Sequence, residues 1–279
     1  EFKQAAAAFE RALELDPGNA LLWFNKGASL DSLHRFEEAV ASYDEALAID
    51  DRDSDTWFNK GISLRKLGRL QDALACFDTA LEINPQDPAV IFNKGVTFKE
   101  MGRLEDAAES FDMVLEIELW DPAVWYFDGA TLREMGNFEP ALACLERALE
   151  IDPDNAAAWV EKGAALRGLE KPDEAVESYD RALGLDHEDV DALTGKGSIL
   201  LETLDFERAA HCFRSALEID KGKSEAMRGL NKCRSELALV QTQGMYEEEP
   251  IEEVVVEEVS IEEAPVEEEA VEEEVVEEV

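Results

Sequence analysis

Three sets of side chains recur along this chain at one interval, in types that could recognise another polypeptide. Asn25, Asn59 and Asn93 stand 34 residues apart. An Asn side chain offers both donors and an acceptor, so a ladder of them can pair with the backbone of an extended peptide whatever its sequence. The competing use is simple solvation of a polar face. One residue earlier come Phe24, Phe58 and Phe92, and the series continues to Tyr126. Exposed aromatics in register suit apolar ligand side chains. Stripes of them at helical spacing are also ordinary core. Six residues past Asn59 and Asn93 stand Arg65 and Lys99, followed one interval at a time by Arg133 and Arg167. They are either i,i+4 partners of neighbouring acids, worth a few tenths of a kcal/mol each, or a basic strip aimed at acidic ligands.

The remaining reactive side chains support no reaction. Cys76, Cys144 and Cys212 share a position that elsewhere holds Ala8, Ser42, Ser110 and Ser178, so a small packing residue explains all seven. Positions two intervals apart cannot bring Cα atoms within the roughly 7 Å of a disulfide. No CxxC occurs, and a reducing cytoplasm is the expected location. His34, His187 and His211 make neither an acid–base pair nor a metal site by spacing. Asp51, Asp53 and Asp55 imitate the opening of a calcium loop, but Thr56 and Ile62 occupy the places where that loop needs Gly and a bidentate Glu. No phosphate-binding, nucleophile-elbow or HExxH motif is present. The expectation is a non-enzyme without metal or cofactor.

The elements that carry these ladders follow from the same period. Gly27, Gly61, Gly95, Gly129, Gly163 and Gly197 recur every 34 residues without insertion or deletion. Four residues before each stands Trp23, Trp57, Ile91, Trp125, Trp159 or Leu193; three after stands Leu30, Leu64, Phe98, Leu132, Leu166 or Leu200. Those offsets lie along one helical face. Eight residues before each Gly is Asn or Asp (Asn19, Asp53, Asp87, Asp121, Asn155, Asp189), the side chains that cap a helix N-terminus. Twelve past each Gly a second apolar series begins: Ala39 to Ala209, then Tyr43, Phe77, Phe111, Leu145, Tyr179 and Phe213, then a small residue from Ala46 to Ala216. That is a second helix, with Ala where backbones approach and a large side chain filling the gap. Helices of about a dozen residues are marginal alone, so stacking must stabilise them.

Charge narrows the partners. The chain has 279 residues and a formal net charge of −40. Residues 247–279 hold seventeen Glu and no Lys or Arg, which leaves 49 acidic against 26 basic residues, a net of −23, elsewhere. Nucleic acid and anionic membrane surfaces are poor partners, because both draw affinity from Lys and Arg. No run of about 18 apolar residues and no basic-then-apolar leader is present. The first residue is not Met, so the chain reads as a fragment.

The 34-residue signature of Trp, Gly, Ala, aromatic, Ala and Pro17, Pro85 or Pro153 resembles the tetratricopeptide repeat family over residues 1 to about 243. The resemblance implies an all-α, right-handed superhelical solenoid of helix-turn-helix repeats. Residues 1–19 would be the second helix of a truncated repeat. Six repeats would follow, 20–53, 54–87, 88–121, 122–155, 156–189 and 190–223, then a capping helix at 224–243 and a disordered acidic tail at 244–279. The family's Leu before the Gly is replaced by Lys26, Lys60, Lys94, Asp128, Lys162 and Lys196. Phe24 and Ala28 occupy places that a chaperone-binding carboxylate clamp gives to Lys and Asn, which argues against that role.

In this family the first helices line a concave surface, so the resemblance implies that the Asn, aromatic and basic ladders face ligands. The expected function is a scaffold or adaptor holding an extended, acidic or aliphatic peptide. Two alternatives are end-to-end self-assembly and a regulatory module of a larger enzyme. The Glu/Val-rich tail, in the same or a neighbouring chain, is a further expected occupant of the groove.

Overall fold

The computed structural model describes residues 2–242, in which fourteen α-helices and no strands occur. Helix α1 (Phe2–Leu15) is followed by six antiparallel pairs. These are α2 (Ala20–Asp31) with α3 (Phe36–Ile49), α4 (Ser54–Lys66) with α5 (Leu70–Ile83), and α6 (Pro88–Glu100) with α7 (Leu104–Ile117). They continue as α8 (Pro122–Glu134) with α9 (Phe138–Ile151), α10 (Ala156–Gly168) with α11 (Pro172–Leu185), and α12 (Val190–Glu202) with α13 (Phe206–Ile219). Helix α14 (Ser224–Thr242) ends the described chain. Glu1–Leu239 forms one compact unit. The acidic tail expected at 244–279 lies outside the described residues.

Each first helix starts where its cap requires. Asn19 accepts from the Leu22 N–H at 3.3 Å, Asp87 from Ala89 at 3.0 Å and Asp189 from Ala192 at 2.8 Å. Asp53, Asp121 and Asn155 cap in the same way. The repeat tryptophans anchor the preceding loop: the indole N–H of Trp57 donates to the Asp51 carbonyl and that of Trp159 to the Pro153 carbonyl, both at 2.9 Å.

The glycine is set by packing. A Cβ on Gly61 would stand 2.5 Å from a ring carbon of Phe77, too close for any real contact, so the first helix can meet the second helix's aromatic only without a side chain there. Ala39, Ala73, Ala107, Ala141, Ala175 and Ala209 are fully buried on the opposing helix. In the turn between the helices of a pair, Gly68, Gly102 and Gly136 adopt positive φ, and His34, Glu170 and Leu204 do so without being glycine.

Stacking is asymmetric. The first helices of successive pairs touch one another, from α2–α4 through α10–α12, whereas among the described residues no second helix touches the next second helix. The first helices therefore lie on the inner side of the curve. At the C-terminal end, α14 buries Ala226, Leu230 and Cys233 against α13 and leaves Glu225, Arg228, Asn231, Lys232 and Arg234 exposed.

Ala141→Leu is expected to overpack the α8–α9 crossing, where the Ala141 carbonyl oxygen lies 3.1 Å from a Cβ built on Gly129, and to cost about 1–3 kcal/mol. An unchanged urea midpoint would show that this crossing is not close-packed.

Candidate functional site

The three asparagines lie half-buried on the inner helices in one repeated conformation. Each amide donates to the carbonyl four residues back on its own helix: Asn25 to Leu21 at 2.8 Å, Asn59 to Asp55 at 2.7 Å and Asn93 to Ala89 at 2.9 Å. One donor is thus used to orient the group. Among the described residues the second amide hydrogen remains unused, and so do the side-chain oxygens of Asn25 and Asn59; that of Asn93 accepts from Arg65 at 3.4 Å.

The aromatics have a double role. Phe24 packs against Tyr43 with ring centroids 6.0 Å apart, Phe58 against Phe77 at 6.1 Å, and Phe92 against Phe111 at 5.7 Å. Each leans one face on the core aromatic of its own repeat and stays only half-buried. Phe127, at the place where earlier repeats carry Asn, joins Phe92 at 5.3 Å and Tyr126 at 5.2 Å. Sequence reasoning did not single it out, although its departure from the Asn series was the available signal. Tyr126, Phe127, Val96 and Ala130 line a cavity of about 350 Å³ with Arg65, Lys99, Glu100 and Glu161.

The basic residues are not a free strip. Arg65 pairs with Glu100 at 2.6 Å, Lys99 with Glu134, and Arg167 with Glu202, each partner standing 35 residues further on, in the next repeat. Arg133 would meet Gly168 at that spacing. It pairs instead with Glu161 and lies 3.7 Å from Glu134. The expectation of i,i+4 partners within a helix therefore does not hold; these pairs join neighbouring repeats. The Arg65 Nε has no hydrogen-bond partner among the described residues.

A second ladder, also missed in the sequence, uses the lysines that replace the family's Leu. Lys60 pairs with Asp44 and Lys94 with Asp78 at 2.6 Å, Lys162 with Glu146 at 3.0 Å, and Lys26 with Glu10 at 3.3 Å, each sixteen residues back on the preceding second helix. Lys196 and Asp180 do the same. Lys60 also stands over the Trp57 ring, 4.9 Å from its centroid.

Repeat four breaks this rule, because Asp128 occupies the lysine position and faces the Asp112 side. Asp128 is 2% exposed. Its Oδ2 accepts from the Cys144 thiol at 3.2 Å, and its Oδ1 has no hydrogen-bond partner among the described residues. Burial pushes its carboxyl up to about 6, the thiol's hydrogen bond opposes this, and the charge of Asp112 adds to it. Burial likewise pushes the Cys76 thiol up to about 11, which suits a packing residue and not a nucleophile. Among the described residues no group of three His, Cys, Asp or Glu side chains is placed to hold a metal, and no helix is long and apolar enough to cross a membrane.

Family models described as tetratricopeptide repeat match residues 1–54, 54–87, 76–109, 129–190 and 161–224. The chain belongs to the tetratricopeptide repeat family. Arrays of this family mediate protein–protein interactions, and the fold is typically a non-catalytic scaffold. A chain of the APC/C hetero-tetramer Cut9–Hcn1 superposes with a TM-score of 0.70 at 18% identity over 84% of this chain; the match spans 46% of that longer chain. A tetratricopeptide repeat protein from Parabacteroides merdae gives 0.64 at 19% identity, covering 84% of this chain and 92% of its own. YrrB, described as a tetratricopeptide protein with an unusual peptide-binding site, gives 0.59 at 24% identity over 68% of this chain and 98% of its own. No curated protein matches the sequence significantly. At these identities the likeness establishes the superhelical solenoid alone.

Asp128 leads to a pH prediction for the array. A carboxyl protonated more readily when folded than when unfolded imposes no penalty below the ordinary value of 3.8, a growing one as pH rises, and the whole of it above about 6. A shift of that size corresponds to on the order of 3 kcal/mol. Asp128→Asn is expected to recover about 1–2 kcal/mol of that at pH 7.5, with the gain gone at pH 4. Urea midpoints at the two pH values check this, and equal midpoints at pH 7.5 would contradict it.

Proposed function

We propose that the chain is a protein-interaction scaffold that holds an extended peptide along the inner helices α2, α4, α6 and α8. The observation that carries this reading is the cavity among Val96, Tyr126, Phe127 and Ala130, which is of a size to seat an apolar side chain. It lies on the same inner helix surface as the asparagine ladder. Asn25, Asn59 and Asn93 would hold the peptide backbone with their remaining donors and acceptors, and the half-buried aromatics Phe24, Phe58, Phe92 and Tyr126 would flank its side chains. Arg65, Lys99, Arg133 and Arg167 would act chiefly as clasps between repeats. The peptide-binding description of YrrB is in keeping with this use of the fold.

End-to-end stacking is the weaker alternative. The face that α14 would present to a further second helix carries Asn231 at the place of the repeat glycine, and Arg234 three residues on, both exposed. A second helix brought to the usual distance would meet the Asn231 side chain and bury charge without a partner.

Asn25→Ala, Asn59→Ala and Asn93→Ala together should weaken binding to peptides selected on an array by about a hundredfold, at roughly 1 kcal/mol for each lost hydrogen bond. Alanine is the better helix former, so the melting midpoint should stay level or rise. Unchanged affinity would remove the ladder from the account.

A further inference from the structure

The ion pairs of the inner face share an orientation with a bearing on the ligand. In three of the four inter-repeat clasps the cation is the inner partner. Side-chain exposure is 14% for Arg65 against 41% for Glu100, 19% for Lys99 against 36% for Glu134, and 38% for Arg167 against 54% for Glu202. Arg133 follows the same order against Glu134 and departs from it only against Glu161. The lysine ladder repeats it, with Lys60, Lys94, Lys162 and Lys196 all less exposed than their carboxylates. The physical reason is the shape of the side chains. Lys and Arg lay long aliphatic stems over apolar surface and rings, as Lys60 does over Trp57, which lowers their side-chain exposure, whereas the shorter acids have no such stem and stand further into solvent.

Ligands of opposite charge therefore meet unequal conditions. A ligand carboxylate must approach Arg65, Lys99 or Arg167 past the more exposed carboxylate already paired there, which repels it. A ligand ammonium or guanidinium displaces nothing. Each carboxylate offers about four lone-pair directions and uses few of them in its clasp. At longer range a net charge of −23 outside residues 247–279 steers cations toward the surface and repels anions.

We infer, resting on the peptide groove proposed above, that its ligand is a lysine- or arginine-rich extended protein segment whose cations sit on the outward carboxylates of Glu100 and Glu134 and, as the segment runs on along the inner helices to α12, of Glu202. Its apolar side chain fills the cavity beside Tyr126 and Phe127. The sign is opposite to that of a free basic strip, and the acidic segment 247–279 is on this reading not a groove ligand.

The test uses the full chain and three labelled peptides that share one set of apolar residues and differ only in carrying Lys, Gln or Glu between them. Fluorescence anisotropy at 0.15 M salt should rank them Lys, Gln, Glu. In the E100Q/E134Q/E202Q variant the Lys peptide should lose about tenfold, three exposed ion pairs at roughly a factor of two each. The Glu peptide should gain, because Arg65, Lys99 and Arg167 are released. E134Q alone, with a proportionally smaller change, serves if the triple variant melts. The inference is overturned if the Glu peptide binds the wild type best, or if the Lys advantage survives intact in the variant, which would place it on the rest of the acidic surface. The two readings separate cleanly. If the triple Asn→Ala variant leaves all three affinities unchanged, the groove itself is wrong; if it weakens all three while they remain equal to one another, only the charge preference falls.

Discussion

The approach of each repeat glycine to the large side chain facing it sets the spacing on which the rest of the array depends. A Cβ on Gly27 would lie 2.6 Å from the Tyr43 ring, and one on Gly129 would lie 2.7 Å from Leu145 and 3.1 Å from the Ala141 backbone. With glycine on one helix and fully buried alanine on the other, the two backbones come close enough for the aromatic to fill the space between them without a void. The same aromatic supports the inner-face ring of its repeat, so Phe58 is held where it is because Phe77 lies beneath it. Helices this short have little stability of their own. A pair that fits its neighbours on both sides tolerates no change of length, which accounts for a period of 34 kept through six repeats.

Electrostatics work on that frame at two levels. The lysine ladder ties every first helix but that of repeat four to the preceding second helix, and the basic residues at the helix ends tie inner helices together across repeats. Each exposed pair is worth little. Set in register, they hold long side chains in fixed places and neutralise the cations of the inner face.

Repeat four departs from these rules at several points together. Asp128 replaces the lysine, Phe127 replaces the asparagine, and the clasp from Arg133 finds Gly168 and turns to Glu161. The cavity is lined by Phe127, its neighbours Tyr126 and Ala130, and the same Glu161. Identical units present identical surfaces, and the irregular fourth unit is the one that carries the buried carboxylate, the aromatic cluster and the cavity.

The helices, their caps and their pairing were legible in the residues because they depend on local offsets. Asn or Asp at the cap, glycine opposite a large residue, and apolar spacing of three and four each restrict the backbone within one repeat. Asn19 through Asp189 cap as their type dictates, and Cys76 and Cys212 pack as small residues do. The chemistry of the inner face was less legible. Arg65, Lys99, Arg133 and Arg167 read as a strip from sequence, yet what each does depends on the side chain brought alongside by stacking. For Arg65 that is Glu100, for Arg133 it is Glu161, and the difference lies in a glycine 35 residues away. Sequence alone determined which residues share a face. Only the tertiary structure decided which of them are paired and which are buried, because charge pairing and burial are properties of neighbours that the superhelix, and not the chain order, puts in contact.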